Sequence, residues 1–277
     1  MIGMPSSGKT TFLASLCRLL LHGEQETEWS LDISDVPEGL ENIKKMIKNL
    51  DSYREVGRTL ESAIYNVELN LYNQYQEWIQ FVVPDLSGEI YQNLVYDRRI
   101  SFNIMDQIAK SDVLLFFINF NTMIPEERIK LNEESAIQKL NQEQGNDNQK
   151  CIETEEPKVK KYNDQSALVE LLQSIIYLVP HSLNIRFVVS AWDLVEKAFK
   201  VDKLTPERYI KRKLPLLYQY LMCNTEKFSY EIWGASAQGG DFNNKEDLQR
   251  LQRENGENFV YVVDNKASIS NDLTKLL

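Results

Sequence analysis

Cysteine and histidine are scarce in this sequence. Its three cysteines, Cys17, Cys151 and Cys223, are scattered and odd in number and show no CxxC spacing, which excludes a disulfide framework and a thiolate zinc site. Two histidines disfavour His-based metal or triad chemistry. Long apolar runs are missing as well: the longest lies around Val113–Ile118, far short of the ~20 residues that cross a bilayer. No secretory signal pattern opens the chain, so no transmembrane segment and a cytoplasmic location are expected. Positive charge is in deficit, with 31 basic against 41 acidic side chains and a net charge of −10. A protein held to nucleic acid by phosphate neutralisation usually shows the reverse balance, so nucleic acid is not an expected partner. What remains is ordinary: 277 residues, 43% apolar and 26% charged, enough for one large globular domain.

Strand-like and helix-like segments alternate along the chain. Phe12, Leu13, Leu16, Leu19 and Leu20 recur at helical spacing up to Gly23, and Leu40, Ile43, Ile47, Leu50 and Tyr53 do the same between Pro37 and Gly57. Ser62–Tyr72 and Trp78–Val83, parted by a polar stretch, read as a hairpin. Leu94–Lys110 reads as one helix, and Asp112–Phe120 and Asn184–Ala191 as strands buried on both faces, because neither alternates with polar residues. Gln165–Leu178 predicts a helix. Thr205-Pro206-Glu207 starts another that runs to about Cys223 and is kinked or divided at Pro215. Phe228–Trp233 and Phe259–Val263 read as strands before a terminal stub of helix. Residues 121–163 break the rhythm: 11 of the 43 are apolar, too few for a core, so this segment is expected to be a surface insertion with a mobile middle. The pattern predicts an α/β fold, a three-layer sandwich of the P-loop NTPase type. Its sheet is mostly parallel, with helices on both faces and one antiparallel edge hairpin.

The strongest motif is Gly3-Met4-Pro5-Ser6-Ser7-Gly8-Lys9-Thr10, which fits G-x-x-x-x-G-K-[ST] and opens directly into an apolar-periodic helix. Glycines let the backbone curl so that successive N–H groups face phosphate oxygens at a helix N-terminus, where the dipole also favours an anion. Gly3, Ser6, Ser7, Gly8, Lys9, Thr10 and Thr11 are therefore the candidate phosphate-binding residues. Lys9 would meet the β- and γ-phosphates and the Thr10 hydroxyl would ligate Mg²⁺. Pro5 has no N–H and cannot donate there. The second motif is Asp85-Leu86-Ser87-Gly88-Glu89 after a strand. A carboxylate at a strand tip can hold Mg²⁺, here Asp85, and Gly88 can offer its N–H to a γ-phosphate.

Together with Ser190-Ala191-Trp192-Asp193 and Ala235-Ser236-Ala237, each after a strand, these motifs resemble the ordered set of the TRAFAC-class, Ras/Arf-like GTPases. Within that class the run GMPSSGKTTFLASL, a helix, Arg58-Thr59 and then DLSGE is similar to the bacterial double-GTPase family of conflict and phage-defence gene clusters. The resemblance covers most of residues 1–240 apart from the 121–163 insertion. It implies one GTPase domain over 1–277 with a helical switch insert at about 35–58. It implies GTP or GDP as ligand, Mg²⁺ as cofactor, slow hydrolysis, and a protein effector that reads the switch regions. Thr59 falls where the first switch threonine lies and would complete the Mg²⁺ shell. Asp193 would accept from guanine N1 and N2, and the Ala237 N–H, beside Ser236, would reach guanine O6.

Several positions depart from that pattern. Ala191 stands where a lysine stem usually packs over the base, which leaves guanine selectivity less secure than phosphate binding. Glu89 stands where many relatives carry the glutamine that orients the attacking water, and a carboxylate there is either a poor orienter or a general base. Arg58 reads as a solvated loop residue or as a built-in arginine finger. Two further readings stay open: a P-loop ATPase or phosphotransferase, and a pseudo-GTPase that serves as a scaffold. Only Met1 and Ile2 precede Gly3, whereas a P-loop is normally fed by a strand of ~5 residues. The expectation from this is a natural start further upstream, or a fold of marginal stability supported by nucleotide or a partner.

Overall fold

The computed structural model describes residues 1–22, 26–32, 40–56, 67–84, 88–119, 164–199, 204–254 and 259–277. The elements, in chain order, are β1 (Ile2–Gly3), α1 (Lys9–His22), β2 (Trp29–Leu31), α2 (Leu40–Asp51), β3 (Val67–Asn73), β4 (Trp78–Val83), α3 (Glu89–Asp97) and α4 (Phe102–Ala109). They continue with β5 (Val113–Asn119), α5 (Asp164–Leu178), β6 (Leu183–Ser190), α6 (Trp192–Phe199), α7 (Pro206–Lys213), α8 (Pro215–Cys223), β7 (Phe228–Ser236), α9 (Lys245–Arg253), β8 (Tyr261–Val263) and β9 (Ile269–Ser270), and a 3₁₀ turn at Leu273–Leu276 closes the chain.

The main sheet runs β1-β5-β6-β7-β8-β9. β1, β5, β6 and β7 are parallel, while β8 and β9 add antiparallel at the far edge. Period-two geometry explains the unbroken apolar run of β5: Leu114, Phe116 and Ile118 enter one core and Leu115 and Phe117 the other. The first core lies under α3, α4, α5, α7 and α8; the second holds α1, α2 and the inner face of β3. Helices therefore cover both faces, as the sequence predicts.

Two details differ from the sequence reading. The hairpin β3–β4 takes up β2 as a third strand and forms an antiparallel sheet of its own rather than an edge of the main one. The Met1 amine donates to the Val82 carbonyl at 3.1 Å and links the two sheets. The stretch 94–110 is two helices, because Arg98 adopts a left-handed conformation (φ 56°) that stops α3 and pairs its guanidinium with Glu170 on α5. Helical periodicity runs through the break because Leu94, Ile104 and Ile108 face the same core. Pro215 divides α7 from α8 as expected. Residues 62–66 of the anticipated hairpin and 121–163 of the insertion lie outside the described residues.

Trp192 is wholly buried at the start of α6, and Gly234 on β7 makes room for it: a Cβ at 234 would lie 2.4 Å from Trp192 Cδ2. Overpacking of this kind typically costs about 1–3 kcal/mol. Gly234→Ala is therefore expected to lower the urea midpoint with an unchanged m-value. An unshifted midpoint would mean the ring has slack that this packing does not show.

Candidate functional site

The carboxyl ends of β1, β5, β6 and β7 meet at one cavity, the place where open α/β sheets bind ligands. Its volume is about 480 Å³, within the range of small-molecule sites. Pro5 through Thr11 form its floor. The turn closes through Ser7 N–H to the Met4 carbonyl at 3.2 Å, with Ser6 (φ 59°) and Gly8 (φ 90°) both left-handed. Gly8 also has no room for a side chain, since a Cβ there would sit 2.8 Å from Ser190. The loop leads straight into the N-terminus of α1, where the helix dipole favours an anion.

Lys9 is 2% exposed. Its ammonium donates to the carbonyls of Gly3 (2.7 Å) and Met4 (3.0 Å) and to Ser7 Oγ (3.2 Å), so the loop itself holds the charge at the cavity floor. Gly88, left-handed at φ 80°, packs on this cluster: a Cβ would meet Lys9 Nζ and Pro5 N at 2.7 Å. Gly88 and the Gly3–Thr10 loop are thus in contact, with Glu89 following on the wall at the start of α3. Asn119, at the end of β5, donates its amide to the Ser6 carbonyl and also lines the cavity. Thr59, Arg58 and Asp85 lie outside the described residues.

Asp193, in the first turn of α6 and 9% exposed, lines the same cavity. Burial raises its carboxyl above the usual range, against the opposing pull of the Ser236 hydroxyl and the Lys197 charge. Ser236 is fully buried. Its hydroxyl lies 3.1 Å from Asp193 Oδ1 and 3.1 Å from the Phe259 carbonyl, and its single proton serves one of them. It therefore sits behind the carboxylate, while Ala237 is on the wall. Gly3 and Gly88 likewise back the wall rather than line it.

The loop after β7 is held from three sides. Ser15 on α1 donates to the Ala237 carbonyl, Arg250 donates to the Gly239 carbonyl at 2.7 Å, and Asp247 accepts from the Asp241 N–H at 3.0 Å. Burial alone would raise the Asp247 carboxyl, but the hydrogen bonds from Lys197 and the Asp241 N–H, with the charges of Lys197 and Arg250, bring it below the usual range. Lys197 thus spans from the helix of Asp193 to α9.

Sequence reasoning did not find Ser15, Glu55, Val56, Asn119, Leu194 or the loop residues Gln238, Gly240, Asp241 and Asn243, which line or brace the cavity. Asn119 carried a usable signal, a polar residue closing an apolar parallel strand. The loop carried none. Among the described residues no cluster of three or more His, Cys, Asp or Glu side chains could cage a metal, and no helix is long and apolar enough to cross a membrane. A family model described as Double-GTPase 1 matches residues 1–277. No curated protein and no solved structure matches the chain.

Proposed function

The chain belongs to the Double-GTPase 1 family and so to the guanine-nucleotide-binding GTPases; from that premise we propose that the cavity binds GTP, hydrolyses it slowly, and changes conformation between the GTP and GDP states for a protein partner to read. The observation that carries this reading is the polarity of the cavity. A buried ammonium, Lys9, at the N-terminus of one helix and a buried carboxylate, Asp193, in the first turn of another both line it.

Triphosphate would lie on the loop and the N-terminus of α1, from Gly8 to Thr11, with Lys9 turning from its loop carbonyls to the β- and γ-phosphates. Asp193 would accept from guanine N1–H and N2–H while the Ala237 N–H meets O6. Adenine offers no such donor pair, and a site built to pair a polar edge rejects a ligand lacking it. Gly88 and Thr59 would respond to the γ-phosphate and relax when it leaves, the two contacts a partner would sense.

Mg²⁺ fits the donors at the phosphate end. It takes hard oxygens and is usually held by one or two protein groups plus substrate phosphates rather than by a protein cage. Thr10, which lines the cavity beside Lys9, would hold it, with Thr59 and Asp85 as further ligands. There it would neutralise charge on the β- and γ-oxygens. We read 1–277 as one GTPase domain with a helical insert at about 35–58, which includes α2, and a polar insertion at about 121–163.

Binding of labelled GDP against labelled ADP, with and without Mg²⁺, tests the reading. Preference for GDP supports it, equal binding favours an ATPase, and no binding of either favours a scaffold. Hydrolysis tests Glu89. Without a water-orienting glutamine, phosphate release is expected to take minutes or longer per turnover, near the ~10⁻⁴ s⁻¹ of unassisted relatives. A turnover above about 1 s⁻¹ that vanished in Glu89→Gln would make Glu89 a general base instead.

A further inference from the structure

The chain leaving α2 crosses to the loop before α9, and the crossing is strained in a way that helix termination alone does not require. α2 lies along α1, with Ile43 and Ile47 in the core of Phe12, Leu13 and Leu16, and Arg18 pairs with Asp51 at 2.8 Å. It ends in a Schellman turn, with Arg54 N–H to the Asn49 carbonyl at 2.8 Å and Tyr53 N–H to the Leu50 carbonyl at 2.9 Å. The left-handed position of that turn normally belongs to glycine, yet Tyr53 occupies it at φ 51°. A bulky residue held there persists only where its surroundings compensate.

The compensation is on the far side. The Tyr53 hydroxyl donates to the Leu251 carbonyl at 3.2 Å, and its ring meets the edge of Phe242 at 5.8 Å and 84°. Two residues on, the Asn243 amide donates to Glu55 Oε1 at 2.5 Å. Asn243 is fixed in turn, its N–H bonded to Asp241 Oδ1 at 2.9 Å, and Asp241 is fixed by Asp247. Glu55 and Val56 from one side, and Asp241 and Asn243 from the other, all line the cavity.

Resting on the reading of this cavity as a nucleotide site, we propose that Tyr53 and the Glu55–Asn243 pair form a clasp across its mouth that retains the bound nucleotide. Tyr53 is a positioning residue: its left-handed turn and its contacts with Leu251 and Phe242 aim Glu55 at Asn243. The clasp joins the element packed on the phosphate-binding helix to the loop packed behind the base. Its opening therefore precedes ligand release and governs the dissociation rate more than the association rate. The bond is exposed and screened in the free chain, and it gains strength when a ligand beneath it excludes water.

The test is dissociation of tritiated GDP from the full chain, chased with unlabelled GDP. Asn243→Asp sets a carboxylate against Glu55 and is expected to speed release about tenfold. Glu55→Gln combined with Asn243→Asp restores a bond with donor and acceptor exchanged and is expected to return release to within about threefold of wild type. Tyr53→Gly removes the ring and relieves the left-handed strain together. It is expected to speed release while the nucleotide-free chain melts no lower than wild type, which a purely structural role for Tyr53 would not give. Unchanged release in Asn243→Asp, or a double variant as fast as the single one, overturns the clasp while leaving nucleotide binding intact. A wild type that retains no GDP overturns the binding reading and the clasp with it.

Discussion

Lys9→Ala is expected to bind GDP more than tenfold more weakly than the unmodified chain. The ammonium is buried and already satisfied by Gly3, Met4 and Ser7, so it is presented to a ligand without the disorder of a free lysine. A hydrogen bond to a charged partner is worth about 1.5–3 kcal/mol, roughly 10- to 150-fold in affinity. The same ammonium also holds the loop, and its loss leaves the Gly3 and Met4 carbonyls short of a donor beneath Gly88. Two measurements separate these effects. Titration calorimetry with GDP reads the affinity, and melting without nucleotide reads the loop. Because a ligand stabilises the folded state by RT ln(1 + [L]/Kd), the shift in melting temperature on adding GDP should shrink as affinity falls. Equal affinity in the two chains would remove Lys9 from the phosphate site.

The loop from Gly3 to Thr10 and the helix after it were legible in the sequence because their signal is local. Eight consecutive residues form the turn, the glycine and the lysine, and the helix they open announces itself through Phe12, Leu13 and Leu16. The parallel sheet was legible for a related reason: β5 and β6 are apolar without alternation, which only two covered faces explain. The cavity wall after β6 and β7 was less so. Asp193 and Ala237 stand on the cavity wall, but what fixes them comes from afar, Ser15 from α1 and Asp247 and Arg250 from α9. Nothing at positions 15, 247 or 250 distinguishes these residues from ordinary helical polar ones. Tyr53 is the sharpest case. Periodicity counts it as one more apolar residue of α2, whereas the structure turns its backbone left-handed and sends its ring to Phe242 and Leu251, contacts about 190 residues away along the chain. The break at Arg98 escaped for a similar reason, since it lies between two helices that share one core.

Asp193→Asn is expected to flatten the preference for GDP over ADP by at least tenfold and, at neutral pH, to leave the nucleotide-free fold as stable as wild type or more so. Both halves follow from burial. The carboxyl is raised in the folded chain, chiefly by desolvation, so folding favours its neutral form. Between the unfolded value, about 3.9, and the raised folded one, the folded state holds a proton that the unfolded state has lost. The contribution of this group to stability is therefore most favourable below that window, falls as pH rises through it, and is fully unfavourable above it. Asparagine carries no charge to bury and can still accept from Ser236, so the variant escapes that cost. The guanine recognition proposed for Asp193 has the opposite sign. Two acceptor oxygens facing N1–H and N2–H exist only when the carboxyl is ionised, and protonation or amidation turns one of them into a donor or its carrier. GDP affinity should thus decline on acidification at a higher pH than an ordinary aspartate would give, while the acid side relieves the strain that Asp193 places on the empty site. Competition titrations of GDP against ADP between pH 7 and pH 5, paired with urea unfolding of the nucleotide-free chains, read both trends. An asparagine variant that kept the full guanine preference would remove Asp193 from the base site. A variant that unfolded at clearly lower urea would show that the buried carboxylate stabilises the empty fold, contrary to the sign derived from its burial.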